Sequence, residues 1–420
     1  MPLDMTAPGL DALLIATVLE MELSQRDLQV ASKRYHLIPE HLQRPSSSMR
    51  RYMDSALVYP QGSRAIGATI VHGDSDDRFD LDAVLEFPTP LGWGPGKVLD
   101  ELHKAFQGFP DVRKIERCTR CIQLQFAFMH LDVTPMNPFP DPRQERAGEI
   151  YHSSDVGEET YFRVNPYGFG TWVRKNVTLP SIQFQDHIRN LRSQMMIPDR
   201  VLLGTMMSDA EIDELPEPID PLRDAPQIIA LKLMKRYLNL RYAKRDIKRP
   251  VSVYLTKTAV MVPLSPYGLC AQLEAFCADL DRRMTVALET GKRPDEVNPA
   301  FPEENFNDRW PKDNSDMKVF LSDLRHLSRE LARAKGSELA EIRKIFDDLF
   351  GERVTDLAVR SYLDRFSGTA GAANYERGKG FLASPALIAP VAPSVAQAAR
   401  ATPQVSKAPA HHFHPGLLRK

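Results

Sequence analysis

The sequence is short of several things, and each shortage narrows what the protein can be. Cysteine occurs four times, at positions 118, 121, 270 and 277. That is too few to staple a chain of 420 residues, and it fits a reducing compartment. Neither charge is in excess: 54 Lys and Arg face 55 Asp and Glu, for a net charge of −1. A protein that coats duplex DNA by charge alone is far more basic, so strong duplex DNA binding is not expected. Long apolar runs are missing too. No stretch approaches the ~20 residues a helix needs to cross a bilayer. The N-terminal run MPLDMTAPGLDALLIATVLEMEL has acidic flanks and lacks the basic region and cleavage site of a signal peptide. No internal repeat is visible. These absences predict a cytoplasmic protein with no membrane partner.

What remains is a globular chain with room for two lobes. Leu10, Leu13, Leu14, Val18, Met21 and Leu28 recur at helical spacing, which predicts one long helix over 9–36. Residues 1–48 are read as an N-terminal helix packing on the core. Residues 49–180 read as a catalytic lobe, with strand, loop and strand over 55–90 and a helix over 97–108. The segment 121–133 reads as one strand, with Ile122, Leu124, Phe126 and Phe128 forming a stripe of period two and Asp132 in phase with it. Residues 181–367 read as a helical lobe, with helices over 226–246, 267–290, 315–335 and 337–364 and a loop from Asn298 to Trp310. Beyond 368, Ala and Pro dominate. Too few large apolar side chains recur there to offset ordering entropy, so 368–420 is expected to be disordered.

The chemistry lies in QGSRAIGATIVHGDSDDRFDLDAVLEF, residues 61–87. Asp80 and Asp82 open an apolar strand, and residues i and i+2 of a strand share a face. Two adjacent carboxylates repel unless a cation lies between them. Mg²⁺ takes oxygen ligands and keeps substrate phosphates in its shell. Two such ions, ~3.5–4 Å apart, clamp the attacking and leaving oxygens of a nucleotidyl transfer. Asp132 is the candidate third carboxylate, because a carboxylate on an otherwise buried strand needs a partner. Gly62 and Ser63 supply a close-approaching backbone and a hydroxyl for a terminal phosphate. Singly these signals are common: a lone Asp-x-Asp or Gly-Ser means little, and Asp74, Asp76 and Asp77 look like a solvated turn. The ordered set carries the reading.

That set has a relative. Gly62-Ser63, Asp80-Leu-Asp82 and HLDVTP (130–135) resemble the signature of the cGAS/DncV-like nucleotidyltransferases, the CD-NTases. NPYGFGTWV (165–173), LKLMKRY (231–237), RPVSVYL (249–255) and NPAFPEENFNDRW (298–310) are similar to further motifs of that family. The resemblance spans about residues 50–330. It implies an α+β bilobal fold: a polymerase-β-like nucleotidyltransferase lobe, with a mixed sheet and helices, and a helical lobe. It implies a synthase that makes a cyclic di- or trinucleotide second messenger from NTPs, ATP and/or GTP, in anti-phage defence. Asp80, Asp82 and Asp132 would hold two Mg²⁺ ions, with Mn²⁺ able to substitute. Gly62 and Ser63 would hold the donor triphosphate, and Lys232 or Lys235, with Ser252, would reach phosphates from the helical lobe. The product would act through a downstream effector, and a regulatory partner from the same defence operon is a further expectation.

Two other readings compete. The same fold can transfer nucleotides to RNA, a protein or a small molecule, or bind nucleotides without catalysis. The motifs at 165–173 and 298–310 disfavour the first, and the intact set of three carboxylates disfavours the second. Asn165 reads either as a base contact or as a cap before Pro166. Cys118 and Cys121 read as ordinary thiols, and His411–His414 as part of the tail.

Overall fold

Polar residues break the N-terminal apolar run. In the computed structural model, α1 (Leu10–Met21) and α2 (Gln25–Gln43) replace the single helix that the periodicity predicts. Glu22 is extended, and Ser24 and Asp27 form a reciprocal cap. The Ser24 hydroxyl accepts from the Asp27 N–H at 3.1 Å, and the Asp27 carboxylate accepts from the Ser24 N–H at 3.2 Å. Such a capping box starts a new helix rather than continuing the old one. The structure describes residues 9–71, 79–141, 143, 145–154, 157–195, 211–212, 221–371, 374–376 and 380–382. The chain through Ala358 forms one compact unit, and a second begins at Val359.

The first lobe is built on a mixed sheet. Its strands are β1 (Leu57–Gln61), β2 (Phe79–Glu86), β3 (Lys114–Arg117), β4 (Ile122–Gln125) and β5 (Met129–Pro138), then β6 (Gly148–Ser153), β7 (Glu159–Val164) and the short β8 (Glu211–Ile212). The order is β3-β4-β5-β2-β1-β8, with β6 joining β5 and β7 joining β6. β2 and β5 run parallel, as do β1 and β8, and the other pairs are antiparallel. Helix α3 (Gly62–Ala65) follows β1 directly, and α4 (Pro95–Phe106) follows β2.

The segment 121–133 is not one strand. It folds back at Phe126–Phe128, where the Phe126 N–H donates to the Met129 carbonyl at 2.8 Å. The reversal moves the apolar stripe from even to odd positions: Ile122 and Leu124 are buried, then Met129, Leu131 and Val133. Asp132 is therefore out of phase with the stripe, on the other face of the sheet. The apolar face also carries Phe79, Leu81, Ala83 and Leu85, and it packs with Leu99 and Leu102 of α4 and Tyr35 and Ile38 of α2. Each such side chain contributes ~1.5–3 kcal/mol on burial. That burial fixes the register, because a one-residue slip would bury the carboxylates instead.

After α5 (Pro166–Asn176) and α6 (Ile182–Met195), the second lobe is helical. It contains α7 (Pro226–Tyr242), α8 (Ser252–Met261), α9 (Leu269–Thr290), α10 (Asn314–Ala334), α11 (Leu339–Phe350) and α12 (Glu352–Gly371). The expected helix over 337–364 is two helices, divided at Gly351, whose φ is 90°. The carboxylate of Asp11 caps α9 from α1, accepting from the N–H groups of Leu269 (2.9 Å) and Cys270 (2.8 Å). The expected 298–310 loop contains a hairpin of β9 (Val297–Asn298) and β10 (Phe301–Asn305). α12 runs to Gly371, and β11 (Asn374–Glu376) pairs with β12 (Gly380–Leu382), so regular structure continues past 368. Residues 383–420, with His411–His414, and the Asp74–Asp77 turn lie outside the described residues. No helix among the described residues is long and apolar enough to cross a membrane.

Candidate active site

The polar face of the sheet is organised in rows. Pairing sets Gln61 opposite Asp82, Asp82 opposite Asp132, and Asp132 opposite Gln123, so one row crosses β1, β2, β5 and β4. The next row sets Asp80 opposite His130 and His130 opposite Gln125. The sheet thus brings together the three carboxylates that are dispersed in sequence. It does so through backbone pairing fixed by the apolar face behind them.

Electrostatics show how close they are. The Asp82 carboxyl is pushed up to about 7, first by burial, then by the charges of Asp132 and Asp80, with Lys235 opposing. Asp132 is pushed up to about 6, again first by burial, while a hydrogen bond from Gln123 acts to lower it and Asp80 to raise it. Its Oδ1 is buried and accepts no hydrogen bond among the described residues. Asp80 Oδ1 lies 3.4 Å from His130 Nδ1. As they stand, no three acidic, His or Cys side chains of the described residues converge into a closed ligand set. Hard oxygen donors, a buried oxygen without a donor and carboxyls raised by burial and by neighbouring charge together fit a divalent cation.

Gly62 stands against Asp82. A Cβ there would lie 2.3 Å from Asp82 Oδ2, and φ is +61°, so both space and backbone demand glycine. Ser63 Oγ lies 3.3 Å from Thr69 Oγ1, which orients the hydroxyl. Lys235 is buried and its Nζ donates to the Ala68 carbonyl at 2.9 Å, just past α3. Burial and Arg249 lower its pKa to about 8, against the pull of Asp82 and Asp80.

The other expected phosphate contact from α7 lies elsewhere. Lys232 is buried, and its Nζ donates to Glu22 at 2.7 Å and to the Arg223 carbonyl at 3.0 Å. Glu22 also accepts from Arg192 at 2.9 Å. Burial favours the neutral acid, but these cations hold Glu22 well below the usual carboxylate range. Lys232 therefore joins the N-terminal helices to the second lobe, three residues before Lys235 on α7. Arg236 likewise turns inward and donates to the Phe350 carbonyl at 2.8 Å. Ser252 is the first residue of α8, a helix that packs on α3. Asn165 caps α5, accepting from the Gly168 N–H at 2.6 Å, which favours the capping alternative.

Sequence reasoning missed His130, Gln123, Gln61 and Arg249. The first three are legible only through strand register. Arg249 is half-buried, with burial lowering its pKa and Asp80 opposing. It closes a basic run, which hid it among solvated charges.

A mixed sheet with three carboxylates on neighbouring strands, a glycine-serine turn against them and a helical lobe behind defines a polymerase-β-type nucleotidyltransferase. No family model matches the chain. A curated relative, the cyclic dinucleotide synthase CdnG of Bradyrhizobium diazoefficiens, is 30% identical over 406 residues, covering 95% of this chain and 93% of that protein. The solved structure of that organism's CD-NTase CdnG in complex with GTP superposes with a TM-score of 0.71 at 28% identity, over 84% of this chain and 98% of that one. The fold is also that of Escherichia coli MS115-1 CdnC with ATP, at a TM-score of 0.52 and 14% identity over 82% and 99% of the two chains. The chain belongs to the bacterial cGAS/DncV-like nucleotidyltransferases, the CD-NTases. It is a nucleotidyltransferase and a cyclic-oligonucleotide synthase, and its family uses divalent metal ions.

Proposed function

We propose that this synthase makes a cyclic dinucleotide from two purine NTPs, GTP with GTP or ATP, releasing pyrophosphate at each transfer. The observation that carries this reading is the register that sets Asp82 opposite Asp132, with the Gly62 backbone against Asp82. The relative named a cyclic dinucleotide synthase supports the ring size, and the GTP complex supports the purine. Asp80, Asp82 and Asp132 would hold two Mg²⁺ ions, or Mn²⁺ in their place, which neutralise triphosphate charge and make the attacking hydroxyl more acidic.

The chain's own residues do the rest. Gly62 lets the donor triphosphate approach the backbone, and the Ser63 hydroxyl donates to it. Asp132, ionised where it would hold the metal, accepts the proton of the acceptor ribose hydroxyl. Lys235, held by the Ala68 carbonyl, places its ammonium beside the triphosphate and stabilises the departing pyrophosphate. Arg249 adds positive charge from the start of the 249–255 segment. His130 orients Asp80. The product then reaches a downstream effector, and a regulatory partner from the same defence operon gates synthesis; CdnC of Escherichia coli MS115-1 is found in complex with a HORMA protein.

The test is direct. The protein is incubated with the four NTPs and Mg²⁺, treated with phosphatase, and analysed by mass spectrometry. Phosphatase-resistant cyclic dinucleotide is expected from the wild type and none from Asp80→Asn/Asp82→Asn. Linear or transferred products alone would overturn the cyclic reading, and product from the double variant would overturn the metal assignment.

A further inference from the structure

The second lobe carries a basic groove that the carboxylate site does not use. A cavity of about 410 Å³ lies between α7 and α10, lined by Arg241, Lys318, Ser322, Arg325, His326 and Arg329. Lys318, Ser322, Arg325 and Arg329 fall at i, i+4, i+7 and i+11, which is one face of α10. No carboxylate lines the cavity. Since the whole chain carries a net charge of −1, this is a local accumulation and not a bulk property.

The cations are only partly neutralised. Arg241 lies 3.2 Å from Asp323, but that carboxylate is shared with Arg245. Arg325 pairs with Asp281 at 2.8 Å, and the Asp348 carboxylate lies 3.4 Å from His326 Nε2. Arg329 Nε lies 3.8 Å from Glu330 Oε1. Lys318 makes no ion pair among the described residues. A solvated helix face normally sets acids four positions from its bases; this face sets Arg329 four positions from Arg325, and like charges so placed repel. The wall is also pre-organised. Asp323 is buried and holds Arg241 in place, and the His326 ring lies parallel to Tyr237, at 7° and 6.2 Å, with the Tyr237 hydroxyl 3.2 Å from Nδ1.

The cavity's volume is that of a small-molecule pocket, and guanidinium forks match phosphate oxygens two at a time. Arg241 stands six positions beyond Lys235 on α7, ~9 Å along the axis and about 120° away around it, so the groove opens on another side of that helix. We propose that this groove is a second anion site, which binds a small polyphosphate such as the phosphate chain of a nucleotide.

Hydrogen exchange on the full chain without Mg²⁺ tests this, with inorganic tripolyphosphate, ATP and a 20-nucleotide single-stranded RNA as separate probes. Slower exchange over 314–334 with tripolyphosphate and ATP is expected, and binding at least tenfold weaker to that segment in Lys318→Glu/Arg325→Glu/Arg329→Glu. Lys318→Glu alone, a single exposed change, should weaken it severalfold. Protection by ATP but not tripolyphosphate assigns the source to nucleotides, and protection by both to any polyphosphate. Unchanged protection in both variants, or protection by RNA alone, overturns the proposal.

Discussion

Asp82 shows how much one side chain's surroundings decide. Its carboxyl is lifted to about 7 from an ordinary value of 3.8, so between those limits the folded protein holds more protons than the unfolded chain. Asp82's own contribution to stability without metal then falls as pH rises from about 4 to about 7. Asp82→Asn removes that dependence. In chelator at pH 8 it should melt higher than the wild type by roughly 2 °C or more, while making no product. Mg²⁺ should raise the wild-type melting temperature at pH 8 and leave the variant's nearly unchanged. Thermal scans at pH 5 and 8, with and without Mg²⁺, decide this; a variant that melts lower in chelator would remove the charge-repulsion argument. Gly62→Ala is the second single-residue case. A Cβ would meet Asp82 Oδ2 and force a left-handed alanine, costing about 1–2 kcal/mol in backbone energy. Synthesis should drop ~100-fold or more, a loss of the kind that misplaced reacting groups give, with circular dichroism unchanged.

Helix α7 carries two lysines with opposite fates, and the difference belongs to the element. Positions 232 and 235 differ by three residues, close enough to share a face, yet the helix is buried on nearly all sides. One lysine meets Glu22 at the break after α1, and the other meets the loop after α3. Lys232→Met should therefore act on stability: breaking a buried, hydrogen-bonded ion pair costs about 3 kcal/mol or more, and KM for NTP should stay within twofold. Lys235→Met should act on synthesis, lowering it more than tenfold with a smaller change in melting. Chemical denaturation beside steady-state kinetics separates the two. A tenfold rise in KM with unchanged melting in Lys232→Met would return that lysine to the phosphates.

For the whole molecule, the small hairpin of β9 and β10 is the link that matters. Asn298 donates to the carbonyl of Asn165 at 3.0 Å and to Glu304 at 2.7 Å, and Glu304 accepts from the Asn165 N–H at 2.9 Å. A loop of the helical half thus fixes the start of α5, the helix that closes the sheet lobe. Asn298→Ala leaves buried groups unpaired, which costs ~1–3 kcal/mol. Hydrogen exchange over 165–170 should quicken, and kcat should fall at least fivefold. Unchanged exchange there would show that the hairpin does not brace the sheet lobe.

The local patterns made much of this legible. The apolar alternation around Asp80 and Asp82, the Gly-Ser turn and, through family resemblance, the motifs at 165–173 and 298–310 were enough to read an α+β nucleotidyltransferase and to propose three aspartates as its metal ligands. The helix break at 22–24 was present in the Ser24-Asp27 cap, but the apolar period masked it. Local chemistry sets which side chains prefer water or the core, because each residue carries that preference alone. The tertiary structure decided which distant residues share a row or a buried pair. The turn at Phe126–Phe128 moved Asp132 to the polar face, the parallel pairing of β2 with β5 set it opposite Asp82, and Glu22 took Lys232. Those outcomes depend on register and long-range packing, where each partner is chosen by burial elsewhere in the fold.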